Sequence, residues 1–130
     1  MPIVRIEIYN GFDAGYRKKI LDGVHQALVD SFKIPDSDRN QLIYEFDDDS
    51  LERSANKSRS FTIIEITAFK GRSREAKRIL YRKIVENLKT SPGIEPNDIF
   101  ITINEPELVN WGVLGGKCAD ETDLGFNVNI

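Results

Sequence analysis

Cysteine and histidine each occur once among the 130 residues, as Cys118 and His25. With one of each, a chain can assemble neither a disulfide nor a paired-cysteine or paired-histidine metal site, so no metal centre and no cofactor are expected. His25 reads as a structural helix residue. Cys118 lies beside flexible glycines with nothing to depress its thiol pKa, and reads as a bystander. No apolar run approaches the ~18 residues that suggest a membrane span, and no basic-then-apolar leader is present. A soluble, cytoplasmic protein with no membrane partner is expected. Neither sign of charge dominates: 18 Lys and Arg are scattered among 21 Asp and Glu, for a net charge of −3. Such a surface has no broad phosphate-binding face, and nucleic acid is not expected as a partner.

What is present is pattern. The length suits a single domain over 1–130 that buries about two-thirds of its unfolded surface. Val4, Ile6 and Ile8 alternate with Arg5 and Glu7, the period of a strand with one buried face. Asn10 to Asp13 supplies turn and N-cap chemistry, and Ile20, Leu21, Val24, Ala27, Leu28 and Phe32 recur at helical spacing until Pro35. Gln41 to Phe46 predicts a second strand, and 47–60 a loop. Within that loop Asp47, Asp48 and Asp49 lack the glycine and distal glutamate of a calcium loop and read as a solvated turn. Phe61 to Phe69 predicts a strand, Ser73 a cap for a helix carrying Ala76, Ile79, Leu80, Ile84 and Leu88, and Ile99 to Ile103 another strand.

The second half therefore repeats the first, with pseudo-repeats over about 1–46 and 61–104. Ile34-Pro35-Asp36-Ser37-Asp38 is echoed by Ile94-Glu95-Pro96-Asn97-Asp98, an offset of sixty positions that takes Pro2 to Thr62. Each half is β-α-β. The predicted fold is α+β, with duplicated β-α-β units forming a four-stranded mixed sheet and both helices on one face. The other face needs polar residues or a partner subunit. Apolar residues of 61–69 fall at both parities, which predicts subunit contacts there. The tail 105–130 is expected in subunit contacts too, its alternating end 125–130 suiting strand addition to a neighbour's sheet edge.

Two places carry chemistry. Pro2 follows the initiator Met, which aminopeptidases remove before small residues, leaving a free prolyl amine. A primary α-amino group titrates near about 7.7–8.0, a prolyl amine somewhat higher, and apolar or cationic surroundings lower it into the range of a base at neutral pH. Lys70-Gly71-Arg72-Ser73 lies between a strand and a helix N-terminus, where two cations favour a carboxylate. The plainer readings remain beside these: Met-Pro starts many proteins, Lys70 and Arg72 suit a solvated loop, Asp38 suits a turn, and Trp111 suits a core.

The initial Met-Pro on a first strand, the duplicated unit of about sixty residues and the basic residues after the third strand resemble the tautomerase superfamily. Pro35 to Arg39, Lys70 to Lys77 and the Trp111 to Gly116 segment are most similar to its malonate semialdehyde decarboxylase branch. The resemblance implies a tautomerase or MIF-like fold and a homotrimer with one active amine per chain. It implies Pro2 as the amine and Asp38 as its acidic partner, with Lys70 and Arg72 on the carboxylate of a small oxo-acid and Trp111 walling the pocket. That branch carries arginine at both loop positions, and Lys70 departs from it. Three functions follow. In a tautomerase, neutral Pro2 takes a proton and returns it at another carbon. In a decarboxylase, hydratase or dehalogenase of a three-carbon acid such as malonate semialdehyde, protonated Pro2 polarises the carbonyl. The third is a non-catalytic ferredoxin-like ligand-binding module.

Overall fold

The computed structural model describes residues 1–130. Strand β1 spans Ile3–Tyr9, helix α1 Ala14–Phe32, β2 Gln41–Phe46, β3 Thr62–Thr67, helix α2 Arg74–Thr90 and β4 Ile99–Asn104. A small hairpin of β5 (Gly112–Val113) and β6 (Lys117–Cys118) follows. The sheet order is β2-β1-β3-β4, with β1 parallel to β2, β3 parallel to β4 and the two central strands antiparallel. This is the predicted mixed sheet.

The repeat is carried in the register as well as in the sequence. Val4 pairs with Gln41, and Thr62 pairs with Ile99, the same separation along the chain in both halves. Both helices begin at equivalent caps: Asp13 accepts from the Tyr16 N–H at 2.8 Å, and Ser73 Oγ accepts from the Ala76 N–H at 3.1 Å. Each cap satisfies a donor that the first helical turn leaves without an internal partner. Helix α1 stops where Lys33 turns left-handed at φ 56°, returning its N–H to the Val29 carbonyl two residues before Pro35.

One continuous core fills the space between sheet and helices. Val4, Ile6 and Ile8 of β1 and Ile64 and Ile66 of β3 meet Ile20, Val24, Leu28 and Phe32 of α1 and Ala76, Leu80, Ile84 and Leu88 of α2. Each such side chain contributes roughly 1.5–3 kcal/mol on leaving water, which is why the period-two and period-four patterns fix the layers. The helices approach closely at Gly23, where a Cβ would lie 3.0 Å from Leu88 Cδ2 and where Asn87 Nδ2 donates to the Gly23 carbonyl at 2.9 Å. His25 is buried, with Nε2 2.9 Å from the Asp36 carbonyl, tying α1 to the segment that leads into β2.

On the opposite sheet face Tyr44 and Phe100 are exposed, with Arg5, Glu7, Ile63 and Glu65 between them. The tail's last residues form no strand in the isolated chain. Phe126 and Val128 pack against Phe69 on the same chain, and Ile130 packs on the main core. No helix is long and apolar enough to cross a membrane.

Candidate active site

The antiparallel pairing of β1 and β3 places the start of the chain beside the end of β3, with Ile3 opposite Thr67. The chain-terminal amine and the Lys70 to Ser73 loop thereby meet at one end of the sheet. Pro2 is buried there. The Met1 amine donates to Asp38 Oδ2 at 2.5 Å, and Asn40 Nδ2 donates to Asp38 Oδ1 at 3.0 Å, so the carboxylate is held from both sides. Burial lowers the amine's pKa and so does the charge of Arg72, while the hydrogen bond and charge of Asp38 raise it; the net direction is down.

Arg72 lies in the interior, only 6% exposed, and no carboxylate is paired with it. Nη1 donates to the Phe69 carbonyl at 3.2 Å, whereas Nε and Nη2 are buried without partners. The guanidinium carbon stands 4.8 Å from the ring centre of Phe32 and 5.8 Å from that of Phe126. Burial lowers its pKa, opposed by the charges of Glu105 and Asp38. Donors left unsatisfied inside a protein cost roughly 1–3 kcal/mol, and call for a water, an ion or a ligand to meet them.

A cavity of about 500 Å³ opens beside the amine, lined by Met1, Ile3, Asn40, Gln41, Leu42, Trp111, Gly112 and Val113. Trp111 is half-buried in its wall, its ring 4.5 Å from that of Phe69 and its Nε1 donating to the Pro106 carbonyl at 3.2 Å. The structure gathers Pro2, Asp38 and Arg72 at the start of the chain and puts Trp111 in the wall of the adjoining cavity, which the other three do not line. It does not bring in Lys70, which faces solvent with Nζ 2.6 Å from Glu107 Oε1. Glu107 raises the Lys70 pKa first by that hydrogen bond and then by its charge. Asn40, Phe69, Phe32 and Phe126 were not legible as site residues. Only the place of Asn40 two residues after Asp38, and of Phe69 just before the basic loop, signalled them.

At the pseudo-equivalent end of the sheet neither the amine nor the buried arginine recurs. Thr62 stands in the place of Pro2 and Phe12 in that of Arg72, while Asp98 accepts from the Ser58 N–H at 2.7 Å and from its hydroxyl at 2.5 Å. The Asp38–amine arrangement has become a loop anchor there. Cys118 pairs with Gly112 across the small hairpin but does not line the cavity, and its thiol is pushed up chiefly by Asp120, which is the opposite of activation.

A family model for tautomerase enzymes matches residues 38–113, more than half of the chain, and a second of the same description matches residues 2–53. The chain therefore belongs to the tautomerase superfamily. A probable tautomerase of Bacillus subtilis (strain 168), YrdN, is 28% identical over 116 residues, covering 85% of this chain and 89% of that protein. The crystal structure of FG41 malonate semialdehyde decarboxylase inhibited by 3-bromopropiolate is similar at TM-score 0.80 and 30% identity, over 89% of this chain and 92% of that one. A wild-type fused 4-OT symmetric trimer shares the fold at TM-score 0.80 and 17% identity, over 91% and 96%. The protein is an enzyme of this superfamily with malonate semialdehyde decarboxylase-like relatives.

Proposed function

We propose that the chain, once Met1 is removed, is a tautomerase that moves a proton between the 2-hydroxyl of an enol and C3 (or C5 of a conjugated dienol) of a small 2-oxo acid. The Pro2 amine carries that proton. The observation behind this is the conjunction at one end of the sheet: a terminal amine on Asp38, and an interior Arg72 whose Nε and Nη2 have no partner. While Met1 remains, the proline nitrogen is acylated and cannot act. After processing, the free amine enters a surrounding that lowers the pKa of the terminal amine, favouring the neutral base near neutral pH. Arg72 then holds the substrate carboxylate and stabilises the enolate, Asp38 holds the amine or a water, and Trp111 walls the pocket. No cofactor enters this chemistry. Acting as a single domain, the chain assembles as a homotrimer through the sheet face that carries Tyr44 and Phe100, the assembly of the fused 4-OT relatives.

A second reading, decarboxylation of a 3-oxo acid by protonated Pro2, is favoured by the 30% identity to the malonate semialdehyde decarboxylase. The pH profile separates the two. A rate that rises as the amine loses its proton supports the base role, and one that falls over the same range supports the acid role.

The test is intact mass together with turnover of phenylenolpyruvate and 2-hydroxymuconate by the wild type and by Pro2→Ala. Met1 absent and a loss of about 10²–10⁴-fold in Pro2→Ala are expected. Processed protein that is inert toward both compounds, or a Pro2→Ala variant as fast as the wild type, sinks the proposal.

A further inference from the structure

A carboxylate grips an ammonium strongly and a neutral amine weakly, so an amine that acts as a base lets go of its acidic partner in the state in which it acts. Asp38 therefore needs a hold that does not depend on the amine. The turn that carries it starts at Pro35, whose carbonyl receives the Asp38 N–H at 3.0 Å. Inside that turn the Asp36 carbonyl lies 2.9 Å from Nε2 of His25, an α1 residue only 3% exposed. A carbonyl can only accept, so Nε2 carries the hydrogen and donates it. From this arrangement we infer that His25 is a positioning residue: its ring clamps the 35–38 turn to α1 and thereby sets where the Asp38 carboxylate stands against the reacting amine. The inference rests on the reading of Pro2 as that amine and adds a residue to its machinery.

The second half of the chain shows the same turn without the clamp. Sixty positions on, Val85 holds the place of His25 and packs on the main core, and the turn still forms, with the Asp98 N–H 2.9 Å from the Glu95 carbonyl. The histidine is thus needed neither to make the turn nor to fill the helix face. The second turn is held instead by the loop before β3. Asn97 Nδ2 donates to the Asn56 carbonyl at 2.8 Å, Lys57 Nζ donates to the Asn97 carbonyl at 2.5 Å, and the Ser58 N–H donates to Asp98 at 2.7 Å. At the first end the terminal amine takes the place of those loop contacts on Asp38, and the helix supplies the hold.

Two further ties run from α1 to this stretch, and neither replaces His25. Arg39 Nη2 donates to Asp22 Oδ1 at 2.9 Å, but both side chains are exposed, and such a pair contributes about 0–1 kcal/mol. Gln41 Nε2 donates to the Leu21 carbonyl at 2.9 Å, beyond the turn, where pairing with Val4 already fixes the chain. The imidazole is buried, and burying it without a partner would cost free energy that an apolar residue there would not. Asp36 Oδ1, 3.3 Å from Nε2, is the charged group facing the ring, and Asp38 and Arg72 are those facing the amine.

The experiment follows the titration of the Pro2 amine by nitrogen NMR of processed protein isotopically labelled at proline. It compares wild type, His25→Val, His25→Gln, Asp38→Asn and the double variant of His25→Val with Asp38→Asn. A displaced Asp38 no longer favours the charged amine, so His25→Val is expected to move the titration to lower pH by ~0.5 or more, the direction expected of Asp38→Asn. His25→Gln, which still has a donor for the Asp36 carbonyl, recovers most of that shift. The double variant shows no shift beyond that of Asp38→Asn, because His25 acts through Asp38. A residue that merely packs would lower the melting temperature and leave the titration in place. An unmoved titration in folded His25→Val, or the same shift with and without Asp38, overturns the inference. If His25→Val does not fold, His25→Leu, closer in volume, takes its place. The readout is the amine and not turnover, so it separates this inference from the tautomerase reading. If the amine titration moves and the limb of kcat/KM does not, the clamp stands and the base role of Pro2 falls.

Discussion

Asp38 and Asp98, sixty residues apart, perform the same act on different groups. Asp38 receives the chain-terminal amine at 2.5 Å, and Asp98 receives the Ser58 N–H at 2.7 Å at the opposite end of the sheet. Each half carries a carboxylate before its second strand that ties down the segment entering the neighbouring strand. In one half that segment is the start of the chain, and the tie is also a contact to an ionisable amine.

For Asp38 the consequence is read in pH. In the unprocessed chain its carboxylate raises the pKa of the Met1 amine against burial and Arg72, which lower it, and the Pro2 amine of the proposed processed chain borders the same groups. Asp38→Asn removes the raising contribution, so the neutral amine is reached at lower pH. With Pro2 as base, the rising limb of kcat/KM is expected to move to lower pH while its plateau falls by ~10-fold or more. Stopped-flow or steady-state profiles from pH 5 to 9 check it. A limb that stays in place, or moves upward, removes Asp38 from contact with the reacting amine.

For Asp98 the consequence is stability alone. Asp98→Ala removes the acceptor of the Ser58 N–H and hydroxyl, and because Ser58 itself is exposed to water the cost is about 0.5–1.5 kcal/mol per bond at most. Urea unfolding is expected to show that loss, with kcat/KM per folded molecule within about twofold of the wild type. A selective loss of turnover at unchanged stability would show chemistry at the second end as well.

The duplicated architecture was legible because it rests on burial. Ile20, Val24 and Leu28 recur as Leu80, Ile84 and Leu88, and a helix face that must leave water cannot conceal its period. The strand expected over 61–69 is shorter, Thr62–Thr67: Ala68 makes the last bond to β4, giving its N–H to the Asn104 carbonyl, and the chain then turns into the loop. Pro2, Asp38, Arg72 and Trp111 were legible through the repeat and the superfamily resemblance. Lys70 and Arg72 looked equivalent in sequence, both following the same strand. Only the fold shows Glu107 drawing Lys70 outward while Phe32 and Phe126 enclose Arg72. Phe126 was hidden for the same reason: a contact from the tail to a loop more than fifty residues earlier leaves no local pattern.

Arg72 is expected to be costly to the fold. A buried guanidinium with two unpartnered nitrogens contributes less than an apolar side chain of similar length would. Arg72→Met is therefore expected to stabilise the protein by ~1 kcal/mol while lowering kcat/KM at least 100-fold, a trade of stability for function. Arg72→Lys keeps the charge but not the two-pronged geometry and should recover only part of the activity. Thermal unfolding beside turnover gives both readings. A destabilised Arg72→Met would show that the cation is held by the fold rather than kept for a ligand.

Glu7 offers a pH test of the open sheet face. Its carboxyl is raised to about 7, first by burial and then by the hydrogen bond and like charge of Glu65, and its Oε1 is shielded from water without a partner. The ordinary value for an unfolded glutamate is 4.5. Below that value both states hold the proton and Glu7 costs the fold nothing. Between it and about 7 the folded state alone holds the proton, so stability declines as pH rises, and above about 7 the whole cost is present. Glu7→Gln carries no such titration. It is expected to raise the unfolding midpoint at pH 8, by less at pH 6, and not at all at pH 4. Urea titrations of both proteins at the three pH values check this, at one fixed protein concentration because this face is the proposed assembly surface. An equal gain at all three values would mean that the amide merely packs better, and that Glu7 and Glu65 do not share a proton across the strands.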